Sequence, residues 1–236
     1  MKHTQPTEDS EASKFGFYIS MITALLTLIT FALAVGTPPL SGPFCTGNCF
    51  EYPFADIADR FPRDYYWMYL AILVSLSYFI LMVTLYQVIP HPKKLFGMLG
   101  VSFALMASLV LITDYFIQLS VVQPSVLAGE TDGIALLTQF NPHGIFIVLE
   151  EMGFLFMILS FFALFPVFNG SSRLEKSIKW TTIISFALAI VAFTWISMAY
   201  GIHREYRFEV AVISITWFEL IIVSILLAFY FKQKNH

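Results

Sequence analysis

The stretch FNPHGIFIVLEEMGFLFMILSFFALFPVF, residues 140–168, determines the class of fold. It begins with a polar, helix-breaking NPHG segment at 141–144 and continues as an apolar run to residue 168. A helix needs about 20 apolar residues to cross a hydrocarbon core of about 30 Å, whereas barrel strands are about 10 residues of alternating character. The run therefore predicts a transmembrane helix. Two adjacent acids, Glu150 and Glu151, lie inside it and require an explanation.

The rest of the chain has the same apolar character. Of its 236 residues, 58% are hydrophobic and 12% are charged, and the mean hydropathy is +0.75. Such a composition excludes a soluble globular domain, which needs more polar surface. We predict an all-α fold, a polytopic membrane helix bundle. Its six transmembrane helices are expected at 15–35, 67–89, 95–122, 144–168, 180–200 and 208–231.

The distribution of basic residues predicts the orientation. With both termini in the cytoplasm, nine Lys and Arg residues fall in the inner segments and four in the outer ones, which agrees with the excess of cations on cytoplasmic loops. The inner cations are Lys2, Lys14, Lys93, Lys94, Arg173, Lys176, Lys179, Lys232 and Lys234, and the outer ones are Arg60, Arg63, Arg204 and Arg207. We therefore expect a plasma-membrane protein with acidic loops on the extracytoplasmic side. No basic stripe indicates a nucleic-acid partner.

The predicted organisation is one transmembrane domain, 15–231, between polar cytoplasmic tails at 1–14 and 232–236. The tail before the first helix is expected to be disordered. Outer loops are expected at 36–66 and 123–143. The segment ALAV at 32–35 has the small-residue spacing of a signal-peptidase site, but the acidic leader and the long apolar stretch favour an uncleaved anchor.

The outer loops contain three local patterns. In FADIADRF, residues 54–61, apolar residues recur at helical spacing, which predicts a short helix lying on the membrane surface. GIALLTQF, residues 133–140, predicts another in the second loop. Cys45 and Cys49 flank a Gly-Asn turn in FCTGNCF, so an oxidising compartment favours a disulfide between them, with two free thiols as the alternative.

A ridge of small residues marks the third helix. Gly100, Ala104 and Ser108 are spaced by four, which places them on one face and lets a second helix approach closely. We expect this face to pack inside the bundle.

Four acids within apolar spans are the principal functional signal: Asp114, Glu150, Glu151 and Glu219. A charged side chain at the centre of a spanning helix costs a few kcal/mol, so such residues usually face a cavity, a partner or a pathway. No Lys or Arg lies in the middle of any span to neutralise them. Either some are protonated, or they hold a cation, or water reaches them.

Helical geometry separates the adjacent pair, because neighbours diverge by about 100°. His143 precedes Glu150 by seven residues and could line one wall of an outward-opening cavity with it, while Glu151 faces a neighbouring helix. Gln118 lies one turn outward from Asp114 on the same face. The candidate ligand- or ion-binding residues are thus Asp114, Gln118, His143, Glu150, Glu151 and Glu219.

Three functions fit this pattern. The preferred hypothesis is binding or transport of a cation, a proton or a small cationic or amphipathic molecule through the acidic cavity. The alternatives are an intramembrane enzyme that uses carboxylate and His groups on a lipid-like substrate, and a non-catalytic accessory or assembly subunit. The acids could also be neutral packing residues that hold helices together. The sequence identifies no cofactor, catalytic residue or metal site. The lipid bilayer and a small cationic or amphipathic ligand are the expected partners, and the sequence does not determine whether an oligomer or a protein partner forms.

Overall fold

Six long helices build the molecule. The computed structural model describes residues 8–37, 39–170 and 172–234, and no β-strand occurs within them. All six helices are long and apolar enough to cross a membrane, which confirms the predicted helix count. The helices are α1 (Glu8–Val35), α2 (Tyr66–Val88), α3 (Lys94–Ile117), α4 (Ile145–Phe162), α5 (Arg173–Tyr200) and α6 (Glu205–Lys234).

The helices form a ring with one outlier. Each helix of the ring contacts the next one in the order α1, α2, α3, α4, α6, and α6 contacts α1. Helix α5 packs outside this ring, against α6 and α4. The segments at 36–37, 39–65, 118–144 and 201–204 lie at one end of the bundle, here called the loop end, because successive helices alternate in direction. The short connections at 89–93 and 163–170 lie at the other end, here called the lysine end.

Local chemistry sets several helix ends. Pro90 follows α2 and cannot continue it, and Gly201 ends α5 with a positive φ of 57°. Ser172 caps α5 by accepting a hydrogen bond from the Glu175 amide at 3.1 Å. At the lysine end, the Lys94 ammonium group donates to the Tyr86 carbonyl at 2.6 Å, which satisfies a carbonyl in the last turn of α2.

Several predicted helix ends were wrong: α4 ends at Phe162 rather than at 168, and α5 begins at Arg173 rather than at 180. Helix α1 begins at Glu8, so residues 8–14 are helical rather than a disordered tail, and residues 1–7 lie outside the described part of the chain. Helix α6 continues to Lys234, beyond the predicted start of the C-terminal tail, and residues 235–236 are likewise not described. The third span does not end at Val122: it widens to a π turn over Gln118–Val122 and regains α-helical geometry from Gln123 to Leu127. Pro124 follows the π turn, and its ring would clash with a carbonyl of a preceding α-turn.

The loop segments pack on the bundle. The short helix Ala55–Arg60 forms where it was expected, but its Ile57 is fully buried in the protein core, as is most of Phe54. The prediction that its apolar side lies on the membrane surface was therefore wrong. Ile134–Leu137 forms a single helical turn in the other loop. These segments close the loop end over the space between the helices.

The small-residue ridge of α3 lies inside the bundle. Ala104 is fully buried and Ser108 donates a hydrogen bond to the Ser75 carbonyl of α2 at 3.0 Å. A Cβ atom at Gly100 would lie 3.2 Å from the Ser160 carbonyl oxygen of α4. The ridge therefore sets how closely α3 approaches its two neighbours.

Candidate functional site

A cavity of about 300 Å³ lies at the loop end of the bundle. The last turns of α1, the start of α2, the first turns of α4 and α6, and loop segments near residues 40 and 140 enclose it. Its wall is mainly apolar, and seven of the nineteen described residues that line it are aromatic: Phe31, Phe44, Trp67, Phe140, Phe146, Tyr206 and Trp217.

Two glutamates from different helices meet in this cavity. Glu150 of α4 and Glu209 of α6 both line it and are 1% and 7% exposed. Their carboxyl groups interact directly with each other. The Tyr115 hydroxyl donates a hydrogen bond to Glu150 Oε1 at 2.8 Å. The Oε2 atoms of both glutamates are buried and have no hydrogen-bond partner among the described residues.

No basic side chain compensates this pair in the described part of the chain. The ion pairs found there involve Asp64 and Glu151 but neither Glu150 nor Glu209. Unpaired buried carboxylates are costly, and two that face each other also repel. The pair therefore needs either a proton shared between the two carboxyl groups or a bound positive charge.

A third acid of the cavity wall is already neutralised. Asp64, in the turn before α2, lines the cavity and is 2% exposed. Its Oδ1 accepts from Arg63 Nε at 2.8 Å, and its Oδ2 lies 4.0 Å from Arg60 Nε. Among the described residues, the cavity acids without a basic partner are thus Glu150 and Glu209.

Glu151 points away from the cavity, as helical geometry predicted, but it has a basic partner. Its Oε2 lies 3.1 Å from an Nη atom of Arg204, the residue that joins α5 to α6. The guanidinium also lies over the rings of Phe193 and Phe208, at 5.0 and 5.8 Å from their centroids. No Lys or Arg of a described helix interior pairs with Glu151; its partner is a long arginine of the connection between α5 and α6, which extends into the bundle.

Asp114 and Gln118 lie behind the cavity rather than in its wall. Asp114 is 1% exposed and interacts electrostatically with Glu150. Gln118 is fully buried; its amide donates to the Leu137 carbonyl at 2.6 Å, and its oxygen accepts from the Gln139 amide at 3.0 Å. Gln118 thereby anchors the second loop to the end of α3, which is a structural role.

Glu219 is separate from the other acids. It lies near the middle of α6, is 1% exposed, and neither carboxyl oxygen has a hydrogen-bond partner among the described residues. Its electrostatic neighbour is Tyr78 of α2, which is hydrogen-bonded to Ser160 of α4. The four candidate acids therefore do not converge on one pocket.

His143 lies outside the acidic cavity. Its ring stands 6.0 Å from that of His203, centroid to centroid, in a second groove that also contains Tyr200 and Arg207. The proposed common wall of His143 and Glu150 is not formed, because the chain turns at Gly144 before α4 begins.

The loop end also contains a disulfide. Cys45 and Cys49 form a disulfide in the first loop, near Phe44 in the cavity wall. Within the described ranges, no group of three or more His, Cys, Asp or Glu side chains could hold a metal ion.

Sequence reasoning missed two cavity residues, Glu209 and Asp64. Glu209 falls at the very start of the last apolar run and Asp64 falls in the first outer loop, so neither stands out in the sequence as an acid inside a span. A signal existed for Glu209, since Ile213 and Trp217 follow it at four-residue spacing and all three line the cavity. Comparisons of the chain with known protein families, curated proteins and solved structures give no match.

Proposed function

We propose that the protein binds a small organic cation in the cavity formed by Glu150 and Glu209. The observation that carries this proposal is the pair of buried carboxyl groups, each with one unpartnered oxygen, inside an aromatic wall. A positive charge between them would offset the repulsion of the two carboxylates and the cost of burying them.

The aromatic lining favours an organic ammonium group over a metal ion. Ammonium groups are attracted to the faces of aromatic rings, and quaternary ammonium ligands are often bound in aromatic cages. Hard metal cations such as Ca²⁺ instead prefer six to eight oxygen ligands. Trp67, Tyr206 and Trp217 line the cavity with the two carboxylates, which matches the first chemistry.

We propose that the protein lies in the cell membrane with both termini in the cytoplasm and the cavity near the extracytoplasmic surface. The bias of Lys and Arg toward the lysine end supports this orientation. The disulfide at the loop end supports it too, since disulfides persist in oxidising compartments.

We extend the proposal from binding of the cation to its transport across the membrane. Glu219 and Tyr78 would continue a polar route from the cavity toward the lysine end, because Glu219 lies ten residues beyond Glu209 on α6, roughly 15 Å along its axis. Uptake into proteoliposomes, compared between wild type and Glu219→Gln, tests this extension separately from binding.

The binding proposal is tested with choline as the probe and its uncharged carbon isostere as the control ligand. Choline should raise the Tm of the purified protein and the isostere should not. Neutralising one carboxylate, in Glu150→Gln or Glu209→Gln, removes a buried charge from the contact and should weaken binding by about 2 kcal/mol, roughly 30-fold.

The double variant Glu150→Gln/Glu209→Gln should no longer respond to choline. Glu130→Gln is the matched control, because Glu130 is an exposed acid of the same end of the bundle. Choline binding that survives in the double variant would contradict the assignment of this cavity.

A further inference from the structure

We infer that the cavity takes a cationic amphiphile, with one ammonium headgroup and one alkyl chain, that enters sideways from the apolar layer between α1 and α6. This inference rests on the proposed function and adds the ligand class and its route.

The cavity reaches the molecular surface where the end of α1 meets the start of α6, and also beside the first loop at Phe44, which is 42% exposed. At the opening between the helices, the rim contains Val35, the last residue of α1, and Val210, in the second turn of α6, which are 72% and 40% exposed. Glu150 and Glu209 are almost completely buried deeper in the same cavity. The polar part of the site is therefore internal, and its entrance is apolar.

The seam between α1 and α6 is closed on the lysine side of this opening. Phe31 of α1 packs edge-on against Trp217 and Phe218 of α6, at centroid distances of 5.5 and 5.1 Å. Phe31 and Trp217 also line the cavity, so they form its floor. The opening, here called the notch, is therefore short: it lies on the loop side of the Phe31 contacts and does not extend along the whole pair of helices.

The notch opens on the face of α6 that lipid would cover. Val210, Phe218, Ile225 and Phe229 are exposed apolar residues, and at 100° per residue they fall within an arc of about 100°. A molecule dissolved in the apolar layer along this face therefore meets the rim of the cavity without crossing the polar loops.

The cavity is large enough to enclose the headgroup of such an amphiphile but not a long alkyl chain. About 300 Å³ is at the lower limit of small-molecule sites, which enclose about 300–1,000 Å³. That volume accommodates an ammonium headgroup and its first methylenes. A longer chain must leave through the notch, where Val35 and Val210 offer apolar contact.

The test compares choline with alkyltrimethylammonium ions of increasing chain length on protein in nanodiscs, corrected for partition into protein-free nanodiscs. Affinity should rise roughly fourfold per methylene while the chain fills the notch, and then level off. Val210→Trp should lower affinity for the octyl compound at least tenfold more than affinity for choline. Val35→Trp, on the opposite rim, should likewise lower affinity for the octyl compound more than affinity for choline.

Ile222→Trp is the matched control, because Ile222 is an exposed residue of α6 outside the cavity wall. It should leave both affinities unchanged. If choline and the octyl compound bind equally, or both rim variants weaken the two ligands to the same extent, lateral entry is wrong and the proposed cation site remains. If neither ligand binds the wild-type protein, the proposed function and this inference both fail.

Discussion

The ion pair between Arg204 and Glu151 offers a quantitative test of how the loop end is held together. In Arg204→Met, a side chain of similar length keeps contact with the rings of Phe193 and Phe208 but no longer pairs with the carboxylate. Glu151 would then remain buried without the guanidinium that lies 3.1 Å from it.

The expected loss follows from the burial of the two partners. Breaking a fully buried pair costs about 3–5 kcal/mol, and exposed pairs contribute about 0–1 kcal/mol. The side chains of Arg204 and Glu151 are 28% and 8% exposed, so an intermediate cost of about 2 kcal/mol is expected. Loss of the cation–π contacts adds about 0.5 kcal/mol or more. For a chain of this size, the Tm should fall by about 5–10 °C.

The assay is thermal unfolding of purified protein in one detergent at fixed pH. Glu151→Gln and the double variant complete a double-mutant cycle, in which the double variant should be less destabilised than the sum of the single ones. Arg207→Met is the matched control: this arginine stacks on Tyr200 at 4.2 Å and pairs with no described carboxylate. Equal losses for the two arginines, or a cycle without coupling, would refute the assigned role of the pair.

Three further outcomes are expected. Gly100→Leu should lower the Tm clearly, because its side chain would meet the α4 backbone, whereas Ser102→Leu on the exposed face of α3 should change it little; equal shifts would contradict the close approach of α3 and α4. Replacing Cys45 and Cys49 by Ser should cost at most about 2 kcal/mol, measured by the same unfolding assay, because the disulfide closes a short loop; a loss of folding would show that the loop end depends on it. On intact cells, a membrane-impermeant maleimide should label Cys45 and Cys49 only after treatment with an impermeant reductant. In a variant without these two cysteines, the same reagent should label Lys176→Cys only after the cells are permeabilised. The reverse labelling pattern would show that the proposed orientation is inverted.

The helix count, the approximate spans and the buried ridge on α3 could be predicted from residues alone. Each follows from a local property: a run of apolar residues too long for a soluble helix, or small residues repeated on one face. The helix ends were less accurate. The apolar run that predicts a span stops at the edge of the hydrocarbon, whereas the hydrogen-bonded helix continues into polar sequence, as α1 and α6 show.

The composition of the cavity could not be predicted. In a soluble protein, the apolar stripe of a helix indicates which face is buried. In a membrane bundle, residues toward lipid and residues toward neighbouring helices are both apolar, so hydrophobic periodicity gives no rotation angle. Helical geometry separated Glu150 from Glu151, but the sequence could not determine which neighbouring groups surround Glu150, Glu151 and Glu219.

By itself, the sequence determined that the chain is a bundle of six apolar helices with acids inside them. Only the tertiary structure decided that Glu150 meets Glu209 in an aromatic cavity, that Arg204 reaches back to Glu151, and that Glu219 stands apart. The physical reason is that hydropathy and helix length depend on consecutive residues. The partner of a buried charge instead depends on which helices adjoin and how each is rotated, which the packing of the whole ring fixes.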